Sequence, residues 1–278
     1  MDIPPAIAAL PRFALLDGPS PLMPLRRLSA ALGDRAEVWI KREDLLPLGL
    51  GGNKLRNLEF LVGAALAEGA DTLVTSGRRW SNHCRLTAAA GARAGLEVDL
   101  VLSGPPLPPG DEGPNQILDE VLGARVHVTA TDQRAERAAL VEEIIGRLRA
   151  AGRRPYPIDV GGTGAIGAAG QVLAGLELAD QLAGAGIAES TVVLPSATGG
   201  THAGVLTGLA LAAPPSRSVV GIAVAGPSAD LRPTVAALLD DLAPLAGLRV
   251  PDIEVHLDDD QLGAGYGRPT GASSEATR

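Results

Sequence analysis

The chain has 278 residues, of which 46% are hydrophobic and 20% charged, the make-up of a soluble globular protein with length enough for one or two domains. A formal net charge of −8 and a pI near 5.1 exclude a phosphate-neutralising groove, so no nucleic-acid partner is expected. A lone cysteine, Cys84, excludes an internal disulfide and is too few for a zinc site.

At the N-terminus "MDIPPAIAALPRF" lacks the basic segment and apolar run of a signal peptide, and the most apolar tract, residues 205–213, is too short and interrupted to span a bilayer. A cytoplasmic chain without membrane contact is therefore expected. With only 2% aromatic residues, the core must be built from Leu, Val, Ile and Ala. "EVWIK" reads as a first strand, and "KLRNLEFLVGAALAEGA" as a helix with Leu55, Leu58 and Val62 on one stripe. "DTLVTSG" then alternates with the helix "NHCRLTAAAGARAG", and "EVDLVLSG" is followed by a loop-like tract at residues 103–116. Next come the strand "ARVHVTA", the helix "RAERAALVEEIIGRLRAAG", the strand "PYPIDV" and the helix "IGAAGQVLAGLELADQLAG". "STVVLPS", a helix opening after "SATGG", and "RSVVGIAVAG" complete the pattern. Strand and helix in alternation mean βαβ units and parallel sheets covered on both faces, an α/β fold. Periodicity leaves open whether the strands form one doubly wound sheet or two smaller ones.

In such sheets ligands sit beyond the carboxyl ends of the strands, which directs attention to the strand-to-helix turns. In "SATGGTHAG", Gly199 and Gly200 allow a close bend, Ser196, Thr198 and Thr201 offer hydroxyls, and the new helix presents free N–H groups, a setting that suits a phosphate. No lysine follows in the spacing of an ATP-binding loop, and a plain tight turn explains the glycines equally well. In "RRWSNHC", Ser81 is a natural N-cap, and the helix start after it suits a small carboxylate. Gly162, Gly164 and Gly167 have dinucleotide spacing, but the next strand ends without a carboxylate for a ribose, so they read as close-packing glycines. In "LGLGGNKLRNLEF", Gly51 and Gly52 leave room for a planar ring, and Asn53 with the helix start aims Lys54. An amine, a phosphate loop and a carboxylate-binding helix start together suit pyridoxal phosphate acting on an amino acid, with Lys54 as covalent anchor and as proton-transfer base.

At this point a resemblance takes shape. "LPLGLGGNKLRNLEF", "SGRRWSNHCRLTAAAG", "PYPIDVGGTGAIGAAG", "SATGGTHAGVLTGLAL" and "GAGYGRPT" resemble the 1-aminocyclopropane-1-carboxylate deaminase and D-cysteine desulfhydrase family of fold type II pyridoxal-phosphate enzymes, over nearly the whole chain. The resemblance implies two three-layer α/β/α domains with mostly parallel sheets. Residues 1–54 and 162–278 would form a larger cofactor-binding domain and residues 55–161 a smaller one. It implies Lys54 as the Schiff-base lysine, Asn82 on the cofactor's 3′-oxygen, and Ala197, Thr198, Gly199, Gly200 and Thr201 around its phosphate. Ser81, Asn82 and His83 would receive the substrate carboxylate, with Ser81 assisting proton transfer and Tyr266 close to the substrate. No metal site is implied. The implied activity is a lyase or deaminase reaction on a small amino acid that releases ammonia and an α-keto acid. "SNH" is the desulfhydrase-like form, where deaminases more often have "SNQ". A β-replacement synthase, or a non-catalytic relative that binds the cofactor, are the alternatives. Two departures bear on them: Trp80 stands on the substrate side where the family has glutamine, and the family continues for several dozen residues past this chain's last one, so the large domain is expected to be shortened at its C-terminus. A homodimer is the family's expected assembly.

Overall fold

The computed structural model describes residues 2–33, 35–104, 113–131, 133–212, 217–247 and 253–277. It opens with a short helix α1 (Pro5–Ala8), a strand β1 (Leu22–Pro24), helix α2 (Arg26–Ala31) and strand β2 (Trp39–Lys41), which pairs antiparallel with β1. Next come α3 (Lys54–Ala67), β3 (Thr72–Arg78), α4 (Asn82–Ala94), β4 (Glu97–Ser103), α5 (Pro114–Val121), β5 (Arg125–Thr129), α6 (Arg134–Ala150) and β6 (Pro155–Pro157). These four strands form one parallel sheet in the order β5-β4-β3-β6. The chain continues through α7 (Ala165–Gly184), β7 (Ser190–Ser196), α8 (Gly200–Leu211), β8 (Arg217–Ala223), α9 (Ser228–Ala246), β9 (His256–Asp258) and α10 (Gly271–Ala276). Strands β7, β8 and β9 make a second, three-stranded parallel sheet. The choice that periodicity left open therefore falls on two smaller sheets.

The two central strands β3 and β4 are buried along nearly their whole length, as expected of strands covered by helices on both faces. Each sheet has its own apolar core. Leu55, Leu58, Leu61, Val62, Leu73, Leu86, Leu100 and Ile158 line one, while Val172, Leu176, Leu206, Val219, Val235 and Leu242 line the other. Helix α3 contributes to both, because its Phe60 points into the second core. Its N-terminus, which carries Lys54, is thereby held where the two cores meet.

Helix α3 also packs on α7 with almost no clearance: a Cβ on Gly170 would overlap the Arg56 carbonyl. Below this contact lies a buried ion network. The Arg56 guanidinium, 3% exposed, donates to both carboxylate oxygens of Glu43 at 2.6 and 2.8 Å and to both of Glu177 at 2.9 Å. The network ties the N-terminal segment, α3 and α7 together.

Several helices fall outside the expected pattern, and α9 is the longest of them. Its buried face, Leu231, Val235, Leu238, Leu239 and Leu242, has helical spacing, but Pro233 and Pro244 inside it mask the signal. Helix α5 emerges from the tract read as loop, where Gly113 at φ +79° turns the chain into Pro114 at the first helical position. The rest of that tract, residues 105–112, lies outside the described residues. The strand read in "PYPIDV" ends at Pro157, and residues 160–162 form a helical turn instead. Among the described residues, no helix is long and apolar enough to cross a membrane.

Candidate functional site

Two lysines occur in the chain, and the fold uses them differently. The Lys41 amine is committed to the ion network, pairing with Glu177 and donating to Gln181 Oε1 at 2.7 Å and to the Ser20 carbonyl at 2.6 Å. Among the described residues Lys54, the first residue of α3, reaches only a hydroxyl: its Nζ lies 3.5 Å from Thr201 Oγ1 at the start of α8. Burial pushes the Lys54 pKa down to about 8, so a neutral, nucleophilic fraction exists at physiological pH. Reductive methylation by formaldehyde, mapped by mass spectrometry, should label Lys54 at a rate that climbs with pH and levels off above about 8. A midpoint near the ordinary lysine value of about 10.4 would contradict the burial argument.

The loop that delivers Lys54 is conformationally demanding. Gly51 lies at φ +73°, where a side chain would strike the backbone of Asp44 and Leu46. Leu50, just before it, is the one non-glycine residue with left-handed backbone among the described residues, and its side chain is exposed. Such strain is kept where the surrounding structure needs the chain to pass in one particular way.

Ser81 caps α4, its side chain accepting from the Cys84 N–H at 3.3 Å, and thereby holds the helix start open toward the site. Asn82 follows on the same turn, and a Cβ on Gly52 would sit 3.9 Å from its Nδ2. His83 is buried and neutral, its pKa held down to about 3 by burial and then by the charge of nearby Lys54. Thr75 Oγ1 donates to the Ile158 carbonyl at 2.7 Å, so at 3.0 Å it accepts from His83 Nε2–H, which leaves Nδ1 as a buried acceptor with no partner among the described residues. Trp80 packs on the loop that carries Tyr266: its indole covers Gly267 so closely that a Cβ there would overlap its Nε1. Burial, and then the proximity of Cys84, raise the Tyr266 phenol above its ordinary pKa.

Gly199, at φ +84°, opens α8 with no side-chain cap, leaving the first N–H groups of that helix for another acceptor. The Thr198 hydroxyl lies 2.7 Å from that of Thr163, and Thr201 receives the Asn53 side-chain amide at 2.9 Å. Ala197 and Gly200 complete this turn. Ser196, also singled out from sequence, points the other way and lies 3.4 Å from His202 Nδ1. His202 is buried, which lowers its pKa to about 4, so it carries no charge for the site. Of the glycines of the suspected dinucleotide motif, Gly167 serves packing, since a Cβ on it would overlap the Gly162 carbonyl, whereas Gly164 has open space around it and is fixed instead by its backbone at φ +123°.

Sequence reasoning missed a second ring of polar residues. Arg85 donates to the Gly51 carbonyl at 3.1 Å and to Asn115 Oδ1 at 2.8 Å, and Asn115 Nδ2 donates to the Trp80 carbonyl at 2.8 Å. One arginine thus braces both the lysine loop and the Ser81 turn. Asp119 lies close by, fully buried, with neither carboxylate oxygen hydrogen-bonded among the described residues, and burial pushes its pKa up to about 7. The signal for these contacts was spread over three separated segments and could not be read from any one of them.

The arrangement satisfies a demanding list. An amine of lowered pKa stands beside an uncapped, glycine-opened helix start, and a second helix start faces the same space from α4. Those residues fit a cofactor that carries an aldehyde and a phosphate.

Comparison with known proteins agrees with this chemistry. A family described as pyridoxal-phosphate dependent enzyme matches residues 13–278. D-cysteine desulfhydrases of Salmonella choleraesuis (strain SC-B67) and Salmonella newport (strain SL254) are each 38% identical over 275 residues, covering 98% of this chain and 82% of theirs. The crystal structure of an ACC deaminase homologue superposes with a TM-score of 0.84 at 35% identity, covering 96% of this chain and 78% of that one. A fungal L-serine ammonia-lyase from Rhizomucor miehei shares the fold, with a TM-score of 0.62 at 19% identity over 81% of this chain and 65% of its own.

Proposed function

The chain belongs to the pyridoxal-phosphate dependent enzyme family, and from that premise we propose that it removes sulfide from D-cysteine, releasing ammonia and an α-keto acid. It is a pyridoxal-phosphate-dependent enzyme of lyase or deaminase type acting on a small amino acid. The observation that carries the site reading is Lys54 Nζ beside Thr201 Oγ1, which joins the lysine to the glycine-opened start of α8 across 147 positions of sequence.

Pyridoxal phosphate supplies, when bound, a ring that withdraws electrons from the substrate's α-carbon. The remaining work falls to the protein's own groups. The turn of Ala197, Thr198, Gly199, Gly200 and Thr201 holds the phosphate on the free N–H groups of α8. Lys54 anchors the cofactor and then, once its amine is free, takes the α-proton at Nζ, for which a pKa near 8 suits neutral pH. The start of α4, at Ser81, Asn82 and His83, receives the substrate carboxylate, and Asn82 orients the ring. Neutral His83 lets this turn lie near Lys54 without opposing its charge. Trp80 and Tyr266 close the substrate side and keep water out. In this reading the cofactor lies between residues 1–54 with 162–278 and residues 55–161, the division at which α3 joins both cores. A cytoplasmic homodimer is the assembly that accompanies it.

D-cysteine is favoured over the ring-opening substrate by His83 in "SNH" and by the similarity to the desulfhydrases. The test is to supply the purified chain with pyridoxal phosphate and each of D-cysteine, L-cysteine and 1-aminocyclopropane-1-carboxylate, measuring sulfide and keto acid. Sulfide release from D-cysteine at least about tenfold faster than from L-cysteine is expected. Keto acid from the cyclopropane substrate alone would move the assignment to a deaminase, and incorporation of an added nucleophile to a replacement synthase. Silence toward all of them, with cofactor fixed on Lys54, would mean a non-catalytic binder.

A further inference from the structure

Helix α7 buries thirteen residues, and twelve of them are Gly, Ala, Val or Leu; the exception is Gln171, 1% exposed. A buried amide among apolar neighbours costs free energy unless every polar atom is used, so its bonds indicate what it is there for. Both known contacts of its Nε2 fall on the first turn of α3. It donates to the Asn53 carbonyl at 2.9 Å and to Asn57 Oδ1 at 2.6 Å. Asn57, 0% exposed, passes the contact on by donating through Nδ2 to the Gly162 carbonyl at 3.1 Å.

Asn53 stands at the N-cap of α3 yet makes no side-chain cap bond. Its amide is turned outward instead, to Thr201 Oγ1 at 2.9 Å, the same oxygen that Lys54 Nζ approaches at 3.5 Å. The Asn53 carbonyl that Gln171 holds also receives the Arg56 N–H at 3.2 Å. Gln171 has little room to move, because a Cβ on Gly204 of α8 would overlap its own Cβ and the adjacent Gly170 sits directly on the Arg56 carbonyl. A rigid donor on α7 therefore sets both the rotation and the axial position of the residue that precedes the lysine.

We infer that Gln171 is a positioning residue: through Asn53 and Asn57 it holds the first turn of α3 so that Lys54 meets the Thr201 turn at attacking distance. This rests on Lys54 being the cofactor-anchoring lysine. A misplacement on the order of 1 Å is enough to slow an otherwise intact bond-forming step by about a hundredfold.

The experiment follows covalent attachment rather than turnover. Apo protein, as the parent, as Gln171→Met and as Asn57→Ala, is mixed with pyridoxal phosphate. The rate of attachment is read from the visible absorbance and by borohydride trapping with peptide mapping, and urea midpoints are measured in parallel. Methionine keeps the bulk and removes both hydrogen bonds, whereas Asn57→Ala leaves the bond to Asn53 in place. Attachment at Lys54 should slow by about tenfold or more in Gln171→Met and by less in Asn57→Ala. If Gln171→Met fails to fold, a slowing of about threefold in Asn57→Ala is the expected sign, since a misaligned turn is slow in proportion to its displacement. Rates unchanged in the folded variants, with only the urea midpoint lowered, would reduce Gln171 to a packing residue and overturn the inference. Trapping of the parent at Lys41, or nowhere, would instead remove the Lys54 reading, and the role of Gln171 with it.

Discussion

Replacing Lys54 with glutamine is expected to lower turnover by a factor of about 10³ or more, the loss of the one residue proposed to serve as both covalent anchor and proton carrier. The chain contains no substitute. Its second lysine, Lys41, is held by Glu177, Gln181 and Ser20, and lies in the ion network rather than at the α8 start. Glutamine keeps most of the side chain's bulk, so the fold and the phosphate turn should survive, and pyridoxal phosphate should still bind weakly and reversibly. Two measurements decide this: keto-acid release under saturating substrate, and peptide mapping after borohydride reduction. The parent should carry the cofactor on the peptide containing Lys54, and the variant on none. Turnover within about tenfold of the parent, or a fixed adduct on Lys41, would refute the assignment.

Arg56→Met should destabilise the protein by about 3–5 kcal/mol, the cost of leaving buried carboxylates without their partner. Arg56 neutralises two of them at once, Glu43 and Glu177, whose side chains are only 21% and 14% exposed. Lys41 remains beside Glu177, so the larger share of the loss falls on Glu43. Arg56→Lys should be intermediate, because an ammonium cannot make the paired contacts of a guanidinium. Urea denaturation tests this through a lowered midpoint at constant slope. A change below about 1 kcal/mol would show that the network is solvated and weak. Burial raises the Glu177 carboxyl, but its hydrogen bonds with Arg56 and then the two charges override this and leave it below the ordinary glutamate value. Its contribution to stability is therefore complete above the unfolded-state value, about 4.3, and fades as the pH falls below it. The Arg56→Met variant should lose less on acidification than the parent does.

How much of this was legible beforehand varied with the range of the interaction. The strands "DTLVTSG" and "EVDLVLSG" and the helix from Lys54 were plain, since each carries a local apolar pattern that its neighbours in the fold reinforce. Helix α9 was not, because two prolines break the local signal while five apolar side chains still find the core. Among the candidate site residues, Lys54, Ser81 and the Ala197 to Thr201 turn stood out, since glycines and N-caps have short-range causes. Gln171, Asn57, Arg85 and Asp119 did not. Each looks like an ordinary helical residue until another segment is placed against it.

From the amino-acid sequence alone come the α/β class, the candidate lysine, the glycine-opened turn proposed for the phosphate and the capped helix start, because backbone conformation and hydrogen-bonding need are dictated by residues close together in the chain. Tertiary structure alone decided that the parallel strands divide between two sheets rather than one, that Lys41 is committed to an ion network while Lys54 has a lowered pKa, and that Gln171 of α7 donates to the Asn53 carbonyl just before the lysine. Those outcomes depend on burial and on contacts between residues more than a hundred positions apart, and neither desolvation nor distance is encoded in any local pattern.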